Sequence, residues 1–170
     1  IGSYFEASDV PLRQGADLLA TEYSALLAAA RLSETKSEAV SLEAHAGRIK
    51  DTFNRQWWNG ASKRFYSAKL QDGSYSSRAF PEAAIFPLYL EPLPASGERL
   101  NAALQALVEH SHDAKVNVEA LSYMPETLCR WGLDEDGYRV LTRLMNPSLP
   151  RREYPEVSFA AAGAVAAGLM

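Results

Sequence analysis

Apolar positions fall into two patterns that alternate along the chain. Residues 15–32, "GADLLATEYSALLAAARL", are apolar on nearly all sides, which predicts a helix buried all round. After the short "SETK", residues 36–58 place Val40, Ala44, Ile49, Phe53 and Trp57 near helical spacing with charges between them. That predicts an amphipathic helix. Residues 79–90, "AFPEAAIFPLYL", are apolar again. Pro81 suits a first helical turn, where no N–H bond is lost, whereas Pro87 predicts a kink or an early stop. Residues 95–111 are amphipathic, with Ser96 as cap and a glutamate at the next turn. A short apolar helix over 121–132 is closed by Gly132, and an amphipathic one over 134–146 has acidic residues in its first turn. "YPEVSFAAAGAVAAGLM" predicts a final apolar helix. Between the second and third helices, residues 59–78 break the pattern. Asn59-Gly60 and Asp72-Gly73 are turn signals, and residues 65–70 predict an irregular strand pairing across Asp72-Gly73.

The connections alternate as well. Those after amphipathic helices are long (59–78, 112–120, 147–153), and those after apolar helices are short. Antiparallel helical hairpins explain both regularities, with apolar helices inside and amphipathic helices outside. The fold class is therefore all-α. The long connections and the starts of the inner helices then share one face, where a site is expected.

Composition narrows the function. A chain of 170 residues, 47% hydrophobic and 22% charged, is long enough for one domain with a real core. A net charge of −4 with scattered Lys and Arg argues against a nucleic-acid or anionic-membrane surface. No run approaches the roughly 18 apolar residues of a membrane span, and localisation is left open. The single cysteine, Cys129, reads as an inert core thiol and excludes a disulfide or cysteine-based metal site. His45, His110 and His112 lack the spacing of a helical metal pair, so neither metal nor cofactor is expected. No phosphate loop and no Gly-x-Ser-x-Gly occurs. Both chain ends read as cuts through a larger protein.

Three pieces share a bulky residue, Pro, then Glu: "FPEAA", "MPETL" and "YPEVSF". Each predicts a helix start, where proline sets φ and glutamate meets the positive end of the helix dipole. Such a carboxylate, facing a cavity, suits a general base more than an acid. Glu156 is the strongest candidate, because "RREY" precedes it and the most apolar helix follows. Glu126 comes next and Glu82 last.

"ADLLATEYSALLAAARL", "FNRQWW…KRFYSAKL", "LCRWGLDEDGYRVL" and "RREYPEVSF…GLM" resemble the catalytic domains of six-hairpin glycosidases. The chain is most similar to the bacterial α-L-rhamnosidase-type branch. The resemblance implies part of an (α/α)6 toroid: residues 1–170 would be a single hairpin domain, about the later half of the ring. It implies hydrolysis of an oligo- or polysaccharide by two carboxylic groups, with Glu156 as base. The general acid would lie upstream of this chain. The remaining half of the domain, or self-association, would cover the inner helices. The branch sets its base among Thr, Ile and Trp, whereas here the surroundings are Tyr-Pro-Glu-Val-Ser.

Aromatic rings that stack on sugars, with polar groups for the hydroxyls, give the substrate-binding candidates Tyr154, Arg152, Tyr75, Trp58 and Tyr123. Two other functions remain open. A polysaccharide lyase on a similar toroid would use Tyr154 with Arg151 or Arg152. A non-catalytic α-solenoid would bind partners on a concave face.

Overall fold

Helix follows helix through residues 11–146 and 162–166, the part of the chain that the computed structural model describes. The order is β1 (Leu12–Gly15), α1 (Ala16–Leu32), α2 (Lys36–Gln56), β2 (Trp58–Asn59), β3 (Arg64–Phe65), β4 (Ala68–Leu70), α3 (Pro81–Tyr89), α4 (Glu98–His112), α5 (Val118–Arg130) and α6 (Asp134–Leu144). Residues 162–166 are also helical. The fold is all-α and made of helical hairpins, with only two short two-stranded sheets among the described residues. It divides into two compact units, one up to Leu104 and one from Gln105.

In the first unit α1 and α2 form a hairpin across the short Ser33–Thr35 link. Thr35 caps α2, its hydroxyl accepting from the Glu38 N–H at 3.3 Å. α3 runs parallel to α1. Ser67 ties their starts together, its carbonyl accepting from Ala16 N–H (2.9 Å) and its hydroxyl from Phe80 N–H (3.1 Å). At the other end Arg31 of α1 pairs with Glu91, just beyond α3, at 2.6 Å. The core between these helices gathers Leu19, Tyr23, Ile49, Phe53, Trp57 and Phe80. Asn54 on α2 holds the α3–α4 connection, donating to Leu93 O (2.9 Å) and accepting from Ala95 N–H (2.6 Å).

Two of the apolar patterns bury less than expected. α1 is not covered all round: Thr21, Glu22, Ala25, Ala28 and Ala29 are exposed. On α2 the buried stripe is Ala46, Ile49 and Phe53, while Val40 and Ala44 face solvent.

The second unit holds the α5–α6 hairpin. Gly132, at φ 71°, makes its turn. The two helices come close at Gly137, where a Cβ would lie 2.7 Å from Cys129 Sγ and 3.2 Å from the Pro125 carbonyl oxygen. Met124, Leu128, Val140 and Leu144 are buried in this unit. Arg143 donates to the carbonyls of Asp113 and Ala114, both at 3.0 Å.

Helix boundaries correct three expectations. α4 starts at Glu98 rather than around a Ser96 cap. Gly97 intervenes at φ 76°, and its carbonyl accepts the Asn101 N–H at 3.0 Å. α5 starts at Val118, capped by Asn117 Oδ1, which accepts from Ala120 N–H at 2.7 Å. Pro125 and Glu126 therefore lie inside α5 and not at its start. The connection before α5 is correspondingly short, 113–117, so the expected long connection over 112–120 is absent. The strand expectation holds in part. Across the Asp72-Gly73 turn the pairing is irregular, with a Lys69–Tyr75 bridge, Leu70 N–H donating to Ser74 O (2.8 Å) and Ser76 N–H to Ala68 O (2.9 Å), while β4 also pairs with β1, far away in sequence. The early stop at Pro87 is present: α3 ends two residues later, at Tyr89.

Candidate glycosidase site

The first unit collects its polar groups where α1 and α3 begin. Glu82 follows Pro81 in the first turn of α3 and is only 3% exposed, while Asp17 in the first turn of α1 is 1% exposed. Carboxylates are seldom buried this far unless other groups satisfy them. The positive end of a helix dipole contributes at both positions. The sequence ranked Glu82 last of the three glutamates and passed over Asp17. An acidic residue one place into an all-apolar helix was the available signal. Arg78 lies on the approach to α3, its guanidinium 4.8 Å from the centre of the Phe80 ring.

Residues 57–80 set the aromatic groups around this end. Trp58 packs edge-on against Phe65 (5.1 Å), Phe65 stacks on Phe53 (4.4 Å), and Phe53 meets Trp57 at 6.1 Å. Trp57 meets Tyr75 edge-on at 5.4 Å, and Tyr75 stacks on Tyr66 at 4.6 Å. The two candidates Trp58 and Tyr75 thus belong to one continuous run of rings. Burial, with Tyr66 adding to it, holds the Tyr75 hydroxyl above the ordinary phenol range. It therefore remains a hydrogen-bond donor at neutral pH. The Arg99 guanidinium sits 5.7 Å from the Trp58 ring centre, and Lys63 pairs with Glu98 beside it at 2.9 Å. That pairing pushes the Lys63 ammonium up and the Glu98 carboxyl down from their ordinary values. A cleft of about 650 Å³ runs along the open side of α1, lined by Arg13, Gln14, Leu18, Thr21, Glu22 and Ala25.

In the second unit Glu126 is engaged by Arg130 one turn on, at 2.5 Å. Its other oxygen lies against Gly163, where a Cβ would be 3.3 Å away. Tyr123 is half-buried on α5, and its carbonyl accepts from the Thr127 hydroxyl at 2.7 Å. Cys129 borders an apolar cavity of about 380 Å³ with Pro125, Gly137, Tyr138, Leu141 and Ala164. Burial, and then Asp134, push its thiol up, which suits the inert role expected of it. Arg152, Tyr154 and Glu156 lie outside the described residues.

The family model described as a mannosylglycerate hydrolase MGH1-like glycoside hydrolase domain matches residues 16–131. That span runs from the first residue of α1 to the cap of α5, about two thirds of the chain. It includes Asp17, Trp58, Ser67, Tyr75, Glu82, Tyr123 and Glu126. No curated protein matched the chain, and no solved structure did. A match over most of the chain, along helices arranged as hairpins, places the protein in the MGH1-like glycoside hydrolase domain family.

Proposed function

We propose that this chain is part of a catalytic domain that hydrolyses a glycosidic bond with two carboxylic groups, one acting as acid and one as base. The observation that carries the reading is the family match over residues 16–131. Glu156 is the proposed base. Its surroundings support this: two arginines and a tyrosine precede it, and an apolar sequence follows. Glu126 is proposed as a second carboxylate of the site. Inside α5 it lacks the dipole of a helix start, so Arg130 supplies the positive charge beside it.

The wider architecture is proposed as part of an (α/α)6 ring formed by residues 1–170 as one domain with helices beyond them. Two observations support it. Parallel α1 and α3 with α2 on the outside have the layout of a repeating inner and outer pair. The open side of α1 exposes Ala25, Ala28 and Ala29, small residues that suit close packing against another helix.

The proposed substrate carries a manno-configured sugar. The matched family takes its name from a mannosylglycerate hydrolase, and rhamnose, the sugar of the resembled branch, is a 6-deoxymannose. Mannosylglycerate, an aryl α-mannoside and an aryl α-L-rhamnoside are therefore the substrates to test on the whole protein containing this chain. Release of sugar from one of them is expected, and Glu156→Gln should reduce kcat by about a hundredfold or more. No release from any of the three would count against the substrate class. Near-full activity in the variant would remove Glu156 as base.

A further inference from the structure

We infer that Ser67 is a positioning residue of this domain: its hydroxyl sets the start of α3, and with it Glu82, against the start of α1, which carries Asp17. The inference rests on the glycosidase reading and takes Glu82 and Asp17, buried at the starts of two inner helices, as groups that help to position substrate. Ser67 makes no claim on substrate itself.

Ser67 is buried, 7% exposed, in the middle of the longest non-helical stretch among the described residues. Three helix ends are tied to it or to its two neighbours. Tyr66 N–H donates to the carbonyl of Trp57, the cap of α2, at 2.9 Å. Ser67 O accepts from Ala16 N–H at 2.9 Å, at the first residue of α1. Ser67 Oγ accepts from Phe80 N–H at 3.1 Å, at the cap of α3. Ala68 then pairs with Gly15, which keeps Ser67 in register with the start of α1.

Each link uses an otherwise orphaned group at a helix end. The link to α1 runs through the backbone, so any residue at position 67 can supply it. The link to α3 runs through the hydroxyl and needs a side-chain acceptor of this length. Glu82 lies two residues beyond the Phe80 N–H, in a helix of nine residues with Pro87 inside it. Pro81 and the buried Phe80 ring help to define its first turn, and the Ser67 hydroxyl ties that turn to the start of α1. Removing the hydroxyl takes away the acceptor that the buried Phe80 N–H uses in the wild type, and the first turn of α3 would shift in response. A displacement of about 1 Å in a group that positions substrate can cost about a hundredfold in rate.

Ser76 provides the control. It is also a buried serine whose hydroxyl accepts a backbone N–H, that of Arg78 at 3.1 Å, but no helix starts there. Ser67→Ala, Ser67→Thr and Ser76→Ala are to be made in the whole protein and assayed on the substrate that the wild type hydrolyses, well below Tm. Hydrogen exchange of the peptide containing Phe80 is measured alongside. Ser67→Ala is expected to speed exchange at Phe80 and lower kcat at least tenfold, with KM within about twofold. Ser67→Thr should restore most of kcat. Ser76→Ala should lose a comparable amount of Tm and keep its kcat.

If Ser67→Ala lowers Tm alone, like Ser76→Ala, the serine is merely structural and the inference is overturned. Unchanged exchange at Phe80 overturns it as well, whatever the kinetics. A wild type inactive on every glycoside tested would instead defeat the glycosidase reading, and the positioning role with it.

Discussion

Pro81-Glu82 and Pro125-Glu126 are the same dipeptide in two different frames. In the first unit the pair opens a helix: Phe80 is the cap, Pro81 is the first helical residue, and Glu82 is buried at the dipole's positive end. In the second unit the pair sits in the middle of α5, whose start Asn117 already supplies. There proline interrupts a helix, and glutamate finds a cation one turn later. A dipeptide marks a helix start only when no better cap stands upstream of it.

The largest effect separating the two frames should come from the glutamates. Glu82→Ala removes a buried carboxylate and leaves its partners unsatisfied, which should cost about 1–3 kcal/mol. Glu126→Ala breaks a pair with a half-exposed arginine and should cost only about 0.5 kcal/mol. Urea unfolding with unchanged m-values checks both, and equal losses would break the contrast.

The prolines should differ in sign. Pro125→Ala restores an N–H to the interior of α5. An interior proline costs about 3 kcal/mol relative to alanine, and about 0.8 kcal/mol per lost buried methylene offsets part of this. A net gain of about 1 kcal/mol is expected. Pro81→Ala frees the unfolded chain without repairing any bond and should lose about 0.5 kcal/mol. Thermal melts of the two variants decide; a loss in both would place the prolines in equivalent frames.

The smallest contrast lies at alkaline pH. Tyr75 in the first unit and Cys129 in the second are both held above their ordinary values, chiefly by burial. A folded-state pKa above the unfolded one gives stability that is full below the unfolded value and lost as pH rises through the folded value. The second unit should therefore begin to lose this contribution above 9.0, the ordinary thiol value, and the first above 10.0, the ordinary phenol value. Thiol reactivity and phenolate absorbance followed through a pH titration report the two separately. Cys129→Ala and Tyr75→Phe should each flatten the matching limb.

Much of the fold was legible because periodicity is a local property. The extents of α1, α2 and α6, the link at "SETK" and the turn at Gly132 all follow from residues close in sequence. The errors arose where a distant partner or a competing cap decided. Nothing near residues 68–70 announces that β4 will pair with Leu12–Gly15, and Asn117 was overlooked because Pro125 offered a more conspicuous start. Site residues were harder to see. Trp58 and Tyr75 are expected from the sequence as sugar-stacking rings on a long connection, but nothing local announces that both join one continuous aromatic cluster. Asp17 and Ser67 matter through their surroundings, which a spacing argument does not reach.

The aromatic run also changes what the connection between α2 and α3 can do. Its length and its two glycine turns give it the outline of a lid. Yet Phe65, Tyr66 and Tyr75 pack into the rings of α2, and Ser67 is bonded to two helix starts. Opening this segment would mean unstacking a core, so in the proposed glycosidase it would serve as a wall and not as a lid. Residues 60–64, the turn around Asp72 and the exit at 77–79 are left in solvent. In the proposed glycosidase, change in shape on binding would be confined to those exposed stretches, and the packed rings behind them would keep the same form with or without substrate.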